Sequence, residues 1–203
     1  ARLSARFPGC EIMLMPDGEE FKSYGFAESY FNGLLSKGLT RSSAIIAVGG
    51  GVAGDFAGYC AAMYMRGIAF VHVPTTLLAM VDSSIGGKVA VNIGAGKNIV
   101  GAFHQPSAVI DDIRFLETLP DSEMKNGLAE TVKHALLGER RLYDLLMEHD
   151  LAGVRDPGVL EELVFLSAGF KGAVVAGDER ESGRRAILNL GHTVGHAIES
   201  AMA

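Results

Sequence analysis

Cysteine is scarce: Cys10 and Cys60 are the only two in 203 residues. That is too few for a disulfide framework, and their neighbourhoods read as loop and core. A reduced, cytoplasmic setting is therefore expected. Long apolar runs are missing too. No stretch reaches the roughly 18 uncharged residues of a membrane-spanning helix, so no transmembrane segment and no membrane partner are expected. No secretory leader pattern is visible. Charge of one sign is also modest, with a net charge of −6 and 48% apolar residues, which excludes a disordered chain. The acidic balance argues against non-specific nucleic-acid binding.

Glycine, by contrast, is abundant, at 26 residues. It shows no collagen period, so the glycines mark turns and places of close backbone approach. The chain starts at Ala1 without a methionine and stops at Ala203 inside a helical pattern over 197–203, so it reads as a piece of a longer protein.

The element pattern is α/β and then helical. Glu11 to Met15 reads as a short strand. Gly25 to Lys37 has helical apolar spacing and stops at Gly38. Ser43 to Val48 is a continuous apolar run, which suits a strand buried on both faces. A glycine turn, a helix from Val52 to Met65 and a strand from Ile68 to Val73 follow. This order implies a right-handed βαβ unit in a parallel sheet. From Leu119-Pro120-Asp121 onward the patterns are helical. The expected division is therefore an α/β, Rossmann-like nucleotide-binding domain over 1–120, incomplete at its N-terminus, and the truncated start of an all-α domain over 121–203.

Four constellations carry chemistry. Gly49-Gly50-Gly51-Val52-Ala53-Gly54-Asp55 lies between a strand and a helix. There, backbone N–H groups and the helix N-terminus suit a pyrophosphate, although a tight turn without ligand fits the spacing equally well. Pro74-Thr75-Thr76, Asp82-Ser83-Ser84-Ile85-Gly86-Gly87-Lys88, Asn92 and Gly96-Lys97-Asn98 read as polar loops at the carboxyl edge of the sheet, where open α/β folds bind ligands. Glu130 and Lys133 share a helix face, which is also the spacing of an ordinary surface ion pair. His192 and His196, at i and i+4, have a zinc-compatible spacing and equally a structural one. Thr193 stands where a metalloprotease carries glutamate, which argues against that activity. Lys171, Arg184, Arg185 and Asn189 gather upstream. Cations near ligand loops in an acidic chain suggest a small polyanionic substrate.

In this order the motifs resemble 3-dehydroquinate synthase, from about Pro16 to the last residue. The resemblance rests on Gly-Gly-Gly-x-x-Gly-Asp, Arg66-Gly67, Pro74-Thr75-Thr76-Leu77-Leu78, Asp82 to Lys88, Gly96-Lys97-Asn98, Gly127-Leu128-Ala129-Glu130-x-x-Lys133 and Leu188-Asn189-x-Gly191-His192-Thr193-x-Gly195-His196. It implies an NAD site lined by Asp17, Glu19, Lys22, Gly50, Gly51, Val52, Asp55, Thr75, Thr76, Lys88, Lys97, Phe115, Leu116, Glu117 and Thr118. It implies Glu130 and His192 as ligands of a divalent metal, zinc or alternatively cobalt. Asp82, Lys88, Lys97, Asn98, Lys133, Lys171, Arg185, Asn189 and His196 would hold a sugar-phosphate substrate, 3-deoxy-D-arabino-heptulosonate 7-phosphate. Arg66 would reach the phosphate site of the other subunit of a homodimer.

The family's reaction oxidises an alcohol transiently, expels phosphate, restores the hydride and closes a carbocycle, with NAD acting as a catalyst. The family's third metal ligand, a histidine, lies beyond Ala203. Val91 to Gly96 and His104 depart from common family residues and blur the subfamily. A related cyclase making an inosose or a valiolone, and a non-catalytic NAD-binding module, are the alternative readings. Asp55, Asp82-Ser83-Ser84 and Gly86-Gly87-Lys88 favour 3-dehydroquinate synthase over the inosose-forming relatives.

Overall fold

The computed structural model describes residues 9–94, 96–195 and 198. Helix α1, Tyr24–Ser36, opens on Ser23, whose hydroxyl accepts the Phe26 amide at 3.3 Å. Strand β1, Ala44–Gly49, runs into helix α2, Gly51–Met63, and strand β2, Ala69–Pro74, returns parallel to β1. This is the expected βαβ unit. A two-residue strand, β5 (Ala108–Val109), adds to β2, giving the parallel order β1-β2-β5.

Three readings of this half need correction. Glu11 to Met15 forms no strand. Instead, Met13 and Met15 lean on the core. Strand β1 is buried on one face only: Ile45 and Ala47 point inward, while Ile46 and Val48 are 58% and 51% exposed. Its run of β-branched residues marks a strand but does not fix how many faces are covered. The polar loops expected between residues 88 and 98 are a hairpin. Strands β3 (Lys88–Ile93) and β4 (Gly96–Phe103) pair antiparallel, with Lys88 opposite Phe103 and Val91 opposite Val100. Val89 and Val91 face the core, and the polar residues alternate outward.

A π-helical turn, Ala79–Ser83, and a 3₁₀ turn, Ile113–Thr118, lead into the helical part. There, α3 (Asp121–Leu137), α4 (Arg140–Glu148), α5 (Leu151–Val154) and α6 (Pro157–Gly177) pack together, and a 3₁₀ turn, Arg184–Asn189, follows. Asp156 caps α6 by accepting the Gly158 and Val159 amides, and Pro157 occupies its first turn. Two apolar cores result. One gathers Phe56, Tyr59, Phe70 and Val91 around α2. The other gathers Leu77, Met80, Met124, Leu142 and Leu163. Leu77 and Met80, just past the carboxyl end of β2, belong to the second core, which fixes the helices against the sheet edge. The helical reading over 197–203 lies outside the described residues apart from Ile198.

Candidate active site

The glycine turn sits where β1 ends. A side chain at Gly50 would place its Cβ 3.1 Å from the Thr76 methyl, so the turn and the Thr75-Thr76 segment approach without room for one. Thr75 donates its amide to Gly49 O at 3.0 Å, and the Thr76 hydroxyl accepts the Ala79 amide at 3.2 Å. One turn into α2, Asp55 accepts from the buried Lys22 ammonium at 2.6 Å. Lys22 also donates to Asn98 Oδ1 at 2.7 Å. Asn92, on β3, donates to Glu19 and accepts the Asn98 amide. Glu19, Lys22, Asp55 and the hairpin thus form one knot beside the glycine turn. Burial pushes the Asp55 carboxyl up against the pull of Lys22. Asp17 is exposed at the near end of this segment, Val52 lies in the first turn of α2, and Lys97 is exposed on β4. In the 3₁₀ turn, Leu116 is a fully buried member of the helical core, while Phe115, Glu117 and Thr118 are exposed. The Leu116 side chain therefore packs the core and does not line a cleft.

The second half of the site is a buried charge cluster. Lys171 on α6 donates to Asp82 Oδ1 at 2.5 Å and to the Asp82 carbonyl at 2.7 Å. On α3, Lys133 pairs with Glu130. Both lysines are buried. Burial disfavours ionisation of Asp82, but Lys171, Lys133 and His134 together hold its pKa below the ordinary carboxylate value. Burial lowers the Lys171 pKa, and Asp82 works in the opposite direction. Glu130 Oε1 lies 3.7 Å from His192 Nε2, and Asn189 Oδ1 lies 3.3 Å from His192 Nδ1. The two expected metal ligands are therefore neighbours, although 62 residues of sequence separate them. His196 lies outside the described residues.

Lys88 and Asn189 meet on Glu181, which pairs with the lysine and accepts the asparagine amide at 2.8 Å. The Lys88 pKa is lowered by burial and by the nearby Arg185 and Lys171. Arg185 is buried and donates to Gly86 O at 3.2 Å and Glu179 O at 2.6 Å, so it braces the turn that launches Lys88. Arg66 stands exposed on a turn in which it and Met65 both take left-handed backbone, at φ 70° and 50°.

Two side chains that join these clusters went unread in the sequence. Glu181 carries no spacing signal. His134 carries one, since it lies four residues after Glu130 and shares its helix face. His134 is fully buried, a ring nitrogen lies within 4.8 Å of Asp82 and Glu130 carboxylate oxygens, and burial pushes its pKa down to about 4.

Residues 12–126 match the family model described as 3-dehydroquinate synthase N-terminal, and residues 127–203 match 3-dehydroquinate synthase C-terminal. A 3-dehydroquinate synthase of Halorhodospira halophila is 50% identical over 196 residues, covering 95% of this chain and 55% of the relative. A crystal structure of 2-deoxy-scyllo-inosose synthase complexed with carbaglucose-6-phosphate, NAD+ and Co2+ superposes with a TM-score of 0.84 at 37% identity, covering 94% of this chain and 53% of that one. A 2-epi-5-epi-valiolone synthase from Streptomyces hygroscopicus, with NAD+ and Zn2+ bound, gives 0.81 at 30% identity, covering 87% and 50%. The chain spans about half the length of the relatives it matches. With both halves matched by their models, the chain belongs to the 3-dehydroquinate synthase family.

Proposed function

We propose that this chain carries the NAD site and part of the metal and substrate site of a 3-dehydroquinate synthase. Such an enzyme converts 3-deoxy-D-arabino-heptulosonate 7-phosphate to 3-dehydroquinate and phosphate. The observation that carries the reading is the convergence of Asp82–Lys171, Glu130–Lys133 and His192 on one site, with Lys88 launched from the turn that Arg185 braces.

The residues fit both groups. The side-chain-free backbone of the glycine turn, where a Cβ at Gly50 would crowd Thr76, and the first turn of α2 suit a pyrophosphate. Neighbouring carboxylate and imidazole donors suit zinc or cobalt. When bound, NAD takes up and returns a hydride, and the metal polarises the alcohol that gives it. Lys88, Lys97, Asn98 and Asn189 orient a phosphorylated, carboxylate-bearing sugar by charge-assisted hydrogen bonds. Lys171 holds Asp82 ionised in a buried setting, and Lys133 pairs with Glu130. Asp17, Glu19, Lys22, Asp55, Thr75, Thr76 and the backbone of residues 115–118 line the dinucleotide.

Further parts of this reading are a division near residue 120 into an NAD-binding and a helical domain, a cytoplasmic homodimer, and delivery of Arg66 to the partner's phosphate site. The exposed, left-handed turn at Arg66 supports the last of these.

The decisive experiment completes this chain with the flanking N- and C-terminal segments of the Halorhodospira halophila relative and follows phosphate release from the heptulosonate phosphate. NAD-dependent release that stops on chelation, and in Lys88→Met, is expected. An active Lys88→Met variant, or release without NAD, overturns the reading. Turnover of glucose 6-phosphate in preference would favour the inosose-forming alternative, to which the carbaglucose-6-phosphate complex points.

A further inference from the structure

His134 is wholly buried on α3, with its ring 5.4 Å from that of Phe170. Its Nδ1 meets Ser167 Oγ of α6 at 2.7 Å, and Ser167 is itself fully buried. This is the one hydrogen bond of the Ser167 hydroxyl among the described residues. A neutral ring that accepts the Ser167 proton on Nδ1 carries its own proton on Nε2. That nitrogen is buried and has no hydrogen-bond partner among the described residues. Carboxylate oxygens of Asp82 and Glu130 stand close by: together with a His134 ring nitrogen they lie within 4.8 Å of one another. Asp82 is already clamped by Lys171. Glu130 is the carboxylate on the same helix face, one turn back.

A donor aimed at a carboxylate that holds a cation is the arrangement that orients metal ligands elsewhere. We propose that His134 is a positioning residue of the metal centre: Ser167 fixes its tautomer, and its Nε2–H holds the Glu130 carboxylate in the orientation that binds a divalent cation. This rests on the metal reading of Glu130 and His192 above.

The test measures Zn2+ affinity of the chain by competition with a chromophoric chelator, alongside the visible absorption of the Co2+ form. His134→Asn keeps a group near Nδ1 and removes the one at Nε2. His134→Gln places an amide where Nε2 was. Weakening by about 10- to 100-fold is expected in His134→Asn, and a smaller loss in Ser167→Ala. Affinity within a few-fold of wild type is expected in His134→Gln, with all three variants melting cooperatively. Unchanged Zn2+ affinity in His134→Asn overturns the proposal, as does an equal loss in Asn and Gln variants. A wild-type chain that binds no Zn2+ overturns the metal reading itself, and this inference with it.

Discussion

Two buried residues expose the energetics of the site to measurement. The Lys171 ammonium neutralises Asp82 where little water reaches it. Removing one partner of such a pair leaves the other charge unsolvated, so Lys171→Met should destabilise the fold by about 3 kcal/mol in urea denaturation. The double variant Lys171→Met, Asp82→Leu should recover part of that loss, and a single variant as stable as wild type would contradict the pairing. His72, on β2, is 2% exposed, and burial lowers its pKa from 6.5 to about 4. Between those values the unfolded chain takes up a proton that the folded chain refuses. Stability from this group is full above pH 6.5 and falls as pH drops toward 4, by about 3 kcal/mol at most. Urea midpoints at pH 7.5 and 5 should differ less in His72→Leu than in wild type; an equal difference would acquit His72. At this scale the sequence was a good guide to charged groups in register, such as Glu130 with Lys133. It was a poor one to Glu181, because the contact of Glu181 with Lys88 joins residues 93 apart in the chain.

Among the elements, close approach is set by glycine where helix meets sheet edge. On α3, a Cβ at Gly127 would stand 2.6 Å from Leu77 Cβ and 2.7 Å from the Leu78 amide nitrogen. Backbone cannot yield as a side chain does. Gly127→Ala should therefore cost about 1–3 kcal/mol and push Glu130 away from Asp82. Denaturation together with Zn2+ affinity checks this, and an alanine variant that keeps both values would contradict the packing. The βαβ unit was legible because its apolar runs and glycine turn are local signals. The β3–β4 hairpin was not, since glycines and polar residues at alternate positions imitate a loop until pairing sorts them into two faces. The exposed face of β1 was illegible for a related reason: a run of Ile, Ala and Val records strand propensity, whereas burial depends on what packs against it.

On the scale of the whole molecule, two cores converge on one edge. The sheet core carries the glycine turn and the Lys22–Asp55 knot, and the helical core carries Asp82, Glu130, Lys133 and Lys171. The motif order in the sequence was enough to place these groups in one family. The three-dimensional contacts explain why residues as far apart as Glu130 and His192 belong to one set. The central claim is that the glycine turn holds the pyrophosphate of NAD within this arrangement. Calorimetric titration of NAD into the chain and into Gly50→Val tests it most directly. The account predicts binding at one site by the wild-type chain and at least a tenfold loss, about 1.4 kcal/mol, in a Gly50→Val variant with unchanged circular dichroism. Equal affinity in the two proteins, or no binding by the wild-type chain, would contradict it.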